Sequence, residues 1–238
     1  MIRYSIASGV TALTFTRDDK EAITSDGYLS LDTNIRAVEC HQTHSANVRL
    51  ISPELFSLAQ ESQEKILDDV DALITDTHNI CLTVRTADCT PILLYDPTHQ
   101  AIAAIHSGWK GTLQNIVRAT FLEMTAAFRT SPSETLVVIG PSIAESNYQV
   151  GEELLYLFSS ANPQWEVFFT PDLSSPNHFL LDVKGIVFQQ LKDLGVKTES
   201  IFVSDLDTYT NPLLFSARRD GSSTGRLVSA IYLNLPNN

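Results

Sequence analysis

"VDALITDTHNICLTVRTADCTPILLYDPTHQAIAAIH", residues 70–106, decides the fold. Four short apolar or alternating runs, "VDALIT" (70–75), "ICLTVRT" (80–86), "PILLYD" (91–96) and "QAIAAIH" (100–106), are separated by turn residues, which predicts closely spaced strands. "DPTHQ" (96–100) supplies a hairpin connection between the last two. Cys89 then falls in a connection between strands, next to Asp88.

Outward from this segment, helical periodicity appears twice. Over 111–128, Leu113, Ile116, Val117, Phe121, Met124 and Phe128 share a face, with Gln114, Asn115 and Arg118 between them. Over 183–195, Val183, Ile186, Val187, Leu191 and Leu194 do the same, with Asp182 as a cap and the Gly of "LGV" as a terminator. Further strands are predicted at "TLVVIG" (135–140), "WEVFF" (165–169), "HFLLD" (178–182), "SIFVSD" (200–205) and "RLVSAIYL" (226–233). "PDLSSPN" (171–177) reads as a surface loop. Strands and helices interspersed in this way predict an α+β (mixed α/β) class, and with no linker or repeat visible, one domain over 1–238.

Of 238 residues, 43% are hydrophobic, enough for one large core. Acidic residues outnumber basic ones 28 to 16, a formal charge of −12, which disfavours a long nucleic acid or an anionic membrane as partner. A local Arg and Lys cluster can still hold a phosphate. No run approaches the roughly 18 apolar residues of a membrane span. The opening 20 residues lack the basic, apolar and small-residue succession of an export signal, so a cytoplasmic location is expected. Three cysteines, Cys40, Cys81 and Cys89, in a chain this long predict reduced thiols.

Metal-competent side chains stand beside strand ends in "CHQTHSANV" (40–48), "TADCTP" (86–91) and "AAIHSGWKG" (103–111). A catalytic zinc needs three protein ligands and an open position, and two imidazoles with a thiolate meet that need. The spacings are long, 45 positions from His44 to Cys89 and 17 from Cys89 to His106, so only a fold can unite them. Two other readings of Cys89 stand beside this one. It is a small core hydrophobe, or a nucleophile activated by His106 or His44 with Asp88 orienting the base.

"HSGWKG" leads into the first helix, where free N–H groups, Lys110 and two glycines make an anion site. Trp109 there either stacks on a base or fills the core. "SARRDGSSTGR" (216–226) gathers Arg218, Arg219 and Arg226 around glycines, either as an anion nest or as a solvated turn. "IGPSIAESNYQV" (139–150) reads as a strand leaving through a Gly-Pro turn, with Tyr148 as a structural aromatic or a ligand contact.

Together, "HQTHSANV", "DALIT", "VRTADCTPILLYD", "AAIHSGWKG", "IGPSI" with "YQV", and "FSARRDGSSTGR" resemble the YfiH/laccase-domain family, also called the multicopper polyphenol oxidase or purine nucleoside phosphorylase family. The pieces run in the family's order from about His41 to the C-terminus. The resemblance implies a single layered α/β/β/α domain, similar to the catalytic domain of a bacterial cytotoxic deamidase toxin. It implies a zinc held by His44, Cys89 and His106, with His41 as a neighbouring or substrate-contact residue. It also implies phosphorolysis of adenosine, inosine and methylthioadenosine, and deamination of adenosine.

Zinc would acidify a water for attack on the purine's amino-bearing carbon, while phosphorolysis needs a phosphate held by Lys110, Arg218, Arg219 or Arg226. Asp88 is expected to orient a ligand or exchange a proton, and Cys89 and His106 to carry the chemistry. The expected partners are therefore a purine nucleoside and phosphate, acted on by a monomer or small homo-oligomer. A hydrolase using Cys89 on an amide, such as a peptidoglycan precursor, is the alternative. Copper oxidation of a polyphenol is weaker, because the donor set is too sparse for a multicopper array.

The chain departs from the family at several points. The usual N-terminal loop is not recognisable in residues 6–39, Ala217 stands where an aromatic is usual, and Lys110 where Arg is common. Ser142, Asn147, Asp207 and Thr210 replace frequent cysteines, which leaves Cys89 as the one thiol of the matched motifs.

Overall fold

In the computed structural model, which describes residues 1–19 and 21–234, the decisive segment becomes the strands Ala72–Thr75, Ile80–Thr86, Thr90–Asp96 and Ala101–Ser107. These strands divide between two sheets. Ile80–Thr86 sits in a six-stranded sheet ordered Ile2–Tyr4, Val10–Phe15, Leu227–Leu233, Ile80–Thr86, Asp32–Val38, Tyr28–Leu29. The other three join a second six-stranded sheet ordered Ile201–Val203, Leu136–Ile139, Thr90–Asp96, Ala101–Ser107, Ala72–Thr75, Val48–Leu50. The chain therefore crosses from one sheet to the other through Ala87, Asp88 and Cys89.

Period-2 alternation sends each strand's side chains to opposite faces. From the second sheet, Leu73, Leu93, Tyr95, Ile102, Ala104 and Val138 pack against Val10, Ala12, Leu82, Val84, Ile231 and Leu233 of the first. The other parity of the second sheet, including Ala72, Ile74, Ile92, Leu94, Ala103 and Ile105, packs under helices through Ile116, Val117, Phe121, Met124, Val183, Ile186 and Leu191. Central strands covered on both faces need unbroken apolar runs, which is why "ALIT" and "PILLYD" read as runs and not as clean alternation.

Both predicted helices form. The first is interrupted: Trp109–Leu113 and Ile116–Phe128 are separated at Asn115, whose φ of 57° is left-handed. Asn tolerates that conformation, and its side chain caps the second helix by accepting from the Arg118 N–H at 3.1 Å. The second helix spans Val183–Asp193, capped by Asp182, which accepts from the Gly185 N–H at 2.8 Å, and Gly195 follows its end at φ 97°.

The strands predicted near 135–140, 178–182, 200–205 and 226–233 appear as Leu136–Ile139, His178–Leu181, Ile201–Val203 and Leu227–Leu233. "WEVFF" is a correction. It forms the 3-10 helix Pro163–Phe168 before the short strand Phe169–Pro171, because Asn162 accepts from the Gln164 N–H and Pro163 starts a helical turn. That strand joins His178–Leu181 and Gln149–Gly151 in a small antiparallel sheet.

A second correction concerns the layers. Helices cover the second sheet, but among the described residues the outer face of the first is closed by Ala22, Ile23 and Leu29 packed on Leu13, Phe15, Ile35, Cys81 and Val228. Among the described residues the order is α/β/β, with no helix packed where the fourth layer was expected. No described helix is long and apolar enough to cross a membrane.

Leu82 is fully buried between the two sheets. Leu82→Ala is expected to cost about 2–5 kcal/mol, read as a lower urea midpoint at unchanged slope.

Candidate metal centre and its pocket

Strand register brings distant residues together. Thr90 pairs with Ser107 and Pro91 with His106, so the 17 positions between Cys89 and His106 fold back into adjacency at the open end of one hairpin. On the other side of the same strand, Ala72 pairs with Ile105, which sets Asp71 across from His106. The His106 N–H donates to the Asp71 carbonyl at 2.8 Å and its Nδ1 lies 2.6 Å from Asp71 Oδ1. Both residues share the parity of Leu73, Ile102 and Ala104, so the site opens where the space between the sheets ends.

Asp71 also builds the third corner. Its fully buried carboxylate accepts from the N–H groups of Thr43 at 3.1 Å, His44 at 3.0 Å and Ser45 at 2.8 Å, and from the Ser45 hydroxyl at 2.8 Å. These successive donors wrap one anion, as in a backbone nest, and hold His44 at a left-handed φ of 65°. His44 Nε2 then lies 3.7 Å from Cys89 Sγ, and the His44 and His106 rings meet edge to face at 4.8 Å between centroids. A Cβ on Gly108 would fall 2.6 Å from His44 Cδ2 and 3.0 Å from Cys89 Sγ, so only glycine lets the next helix begin here.

One ligand atom from each of His44, Cys89 and His106 lies within 4.8 Å of the others. Tetrahedral zinc with bonds of about 2.0–2.3 Å sets its ligand atoms about 3.3–3.7 Å apart, so the trio fits a metal after a small contraction. With Nδ1 of His106 turned to Asp71, Nε2 is the nitrogen left for a metal.

The electrostatics favour a thiolate at Cys89 paired with an imidazolium at His106, a proton that metal binding would displace. Burial pushes the Cys89 thiol up, but the facing imidazoles of His106 and His44 bring it down to about 6. Burial pulls His106 down, while the Cys89 thiolate and Asp71 raise it to about 9. Burial would raise Asp71, yet its bonds from His106 and Ser45 hold it at about 2.

A cavity of about 610 Å³ opens over the trio, bordered also by His41, Arg85, Asp88, Tyr148, Arg218 and Arg226. The Arg218 guanidinium lies over the Tyr148 ring at 5.2 Å and donates to the Gln149 carbonyl at 2.9 Å. Arg226 binds only carbonyls, of Ser222, Thr224 and Gly225. Neither has a carboxylate partner among the described residues.

The other expected phosphate holders are placed differently. Arg219 donates to the carbonyls of Thr208, Tyr209, Asn211 and Leu214 and to Asp220, so it clamps a loop and does not border the pocket. Lys110 is exposed, 5.5 Å from the Trp109 ring, and is likewise outside the pocket lining. Trp109 itself packs on the core. Asp88, at φ 88°, spends one carboxylate oxygen on the Thr208 hydroxyl at 2.6 Å and the other on the Arg218 N–H at 2.7 Å. It thus ties the crossing to the 208–218 segment. His41 borders the pocket with Nδ1 2.6 Å from Asp68.

Asp71 and Arg85 were not singled out from the sequence. Asp71 had one signal, a carboxylate at the start of a strand whose other residues are apolar. Arg85 had another, a charge inside "ICLTVRT".

Asp71→Asn is expected to weaken zinc binding by about 10–100-fold in chelator competition, through loss of His106 orientation and of the loop. Because folding lowers the Asp71 pKa from 3.8 to about 2, its stabilisation is present above pH 4 and is lost as pH falls toward 2. Acid unfolding of metal-free protein should lose that segment of its pH dependence in Asp71→Asn.

Comparison with known proteins shows the family. A purine nucleoside phosphorylase of Bacteroides thetaiotaomicron is 36% identical over 195 residues, covering 81% of this chain and 72% of that one. Adenosine deaminase RL5, from an unknown prokaryotic organism, is 32% identical over 193 residues, covering 80% and 72%. The crystal structure of Bacillus licheniformis hypothetical protein YfiH superposes with a TM-score of 0.80 at 26% identity, covering 98% of this chain and 99% of that one. A family model described as multi-copper polyphenol oxidoreductase laccase matches residues 12–234. With the match spanning nearly the whole fold and every motif around the trio, the chain belongs to that laccase-domain family.

Proposed function

We propose that this protein is a zinc-dependent purine nucleoside phosphorylase, active on adenosine, inosine and methylthioadenosine, that also deaminates adenosine. The observation that carries this reading is the convergence of His44, Cys89 and His106 beneath a pocket that also holds two cations without acidic partners, Arg218 and Arg226. The names of similar proteins, purine nucleoside phosphorylase and adenosine deaminase, support the substrate class. The site draws on one chain over most of its length, which suits a single domain working as a monomer or small homo-oligomer.

His44, Cys89 and His106 would hold the ion, and a borderline N₂S donor set favours zinc over a multicopper array. Held there, zinc would supply Lewis-acid polarisation and the acidification of a water. The chain's own residues do the rest. Arg218 and Arg226, in place of Lys110 and Arg219, hold phosphate by charge-assisted hydrogen bonds, while Arg85 at the rim is already paired with Glu39. The Tyr148 ring, braced by Arg218, offers an aromatic wall for a purine. Asp88 fixes the backbone carrying Cys89 and Arg218, a positioning role that replaces the expected proton exchange.

The Asp71–His106–Cys89 chain favours a second reading, since it has the connectivity of an orienting carboxylate, a base and a thiol nucleophile for amide hydrolysis. Metal content separates the two. A stoichiometric metal that protects Cys89 from alkylation supports the nucleoside enzyme, and a metal-free reactive thiol supports the hydrolase.

Purified protein with adenosine and phosphate is expected to yield adenine with ribose 1-phosphate, and inosine, resolved chromatographically. Cys89→Ala should abolish all of them, and formation of every product at wild-type rate in that variant would remove the metal from the mechanism. Arg226→Ala is expected to raise KM for phosphate about 10-fold or more while sparing deamination.

A further inference from the structure

His41 lies three residues before His44 and outside the ligand trio. Its position is fixed on both sides: its N–H donates to the Leu67 carbonyl at 2.9 Å and its own carbonyl accepts from the Val70 N–H at 3.2 Å. Asp68 then fixes the ring, with Oδ1 2.6 Å from Nδ1, and this bond holds the Asp68 carboxyl below its ordinary range. The second ring nitrogen, Nε2, has no protein partner among the described residues. The side chain is 74% exposed and forms the ridge between two cavities. One is the pocket over the trio, which Arg85 and Arg226 also line. The other carries Glu39, Glu61, Glu64 and Lys65.

Cleavage of an N-glycosidic bond leaves an electron pair on the departing purine, which leaves far more readily once a ring nitrogen is protonated. The pocket offers few donors for that proton. His44, Cys89 and His106 would hold the ion, and guanidinium groups do not release protons. Tyr148 is pushed up to about 12 by burial and by the Cys89 charge. Both carboxylate oxygens of Asp88 are occupied.

We propose that His41, oriented by Asp68, is the general acid that protonates the leaving purine. This rests on the phosphorylase reading. In the step, a phosphate oxygen forms its bond to C1′ as the C1′–N9 bond breaks, and the released pair passes into the purine, which takes the proton from His41 Nε2. His41, now neutral, regains from solvent the proton that hydrogen phosphate gives up on becoming an ester, and its exposure serves that exchange.

The test compares inosine with 7-methylinosine, whose cationic ring departs without protonation, using full-length zinc-loaded protein, phosphate, and the variants His41→Gln and Asp68→Asn. For inosine, kcat/KM should fall about 100-fold or more in His41→Gln and by a smaller factor in Asp68→Asn. For 7-methylinosine both variants should stay within about threefold of wild type, with zinc per chain unchanged. Equal losses on the two nucleosides would make His41 a binding residue and overturn the proposal. Full activity of His41→Gln on inosine would reduce the pair to a surface ion pair, and zinc loss in that variant would make it a support of the metal site. Wild-type protein that cleaves neither nucleoside with phosphate would instead overturn the phosphorylase reading itself.

Discussion

One buried carboxylate organises the site. Asp71 receives three successive backbone N–H groups and a hydroxyl from residues 43–45 on one side and the His106 imidazole on the other. Without it, His44 has no reason to hold a left-handed backbone conformation, and His106 has no fixed tautomer. The cost of burying the charge is offset by five donors, which is the condition under which a carboxylate stays ionised in an apolar setting. Cys89 needs no such anchor of its own, because hairpin register already places it beside His106.

The same economy appears on the pocket's far wall. Asp88 and Arg219 are spent internally, one tying the sheet crossing to Thr208 and Arg218, the other gathering four carbonyls of the 208–214 loop. With those two groups satisfied, the Arg218 and Arg226 guanidinium groups are left to face the cavity with no carboxylate bonded to them among the described residues, in a chain whose net charge is −12. An anion would thus meet local attraction inside a molecule that repels anions at long range.

Much of this was legible in the sequence, for reasons that differ by residue. The strands from Ala72 to Ser107 showed because both faces are covered and the runs are continuously apolar. Asp182 and Gly195 showed because capping chemistry is local. The trio was suggested by residue type and made specific by family resemblance, since its long spacings carry no signal of proximity on their own. Asp71 did not show, because its meaning lies in a cross-strand register that no local pattern encodes. Lys110 and Arg219 misled, because charge composition does not tell which guanidinium or ammonium is already engaged. The 3-10 turn at Pro163–Phe168 overrode an aromatic, strand-like run, and the helix break at Asn115 overrode an apolar stripe, each through one side-chain cap.

The shared parity of Asp71 and His106 with the residues between the sheets reaches beyond chemistry. If either strand slid by two positions along its neighbour, a carboxylate or an imidazole would be drawn into the space now filled by Leu73, Ile102 and Ala104. Desolvating such a group without its partners costs several kcal/mol. The polar pair therefore works as a mechanical stop on strand alignment, guarding the sandwich against misthreading during folding whether or not a metal has arrived.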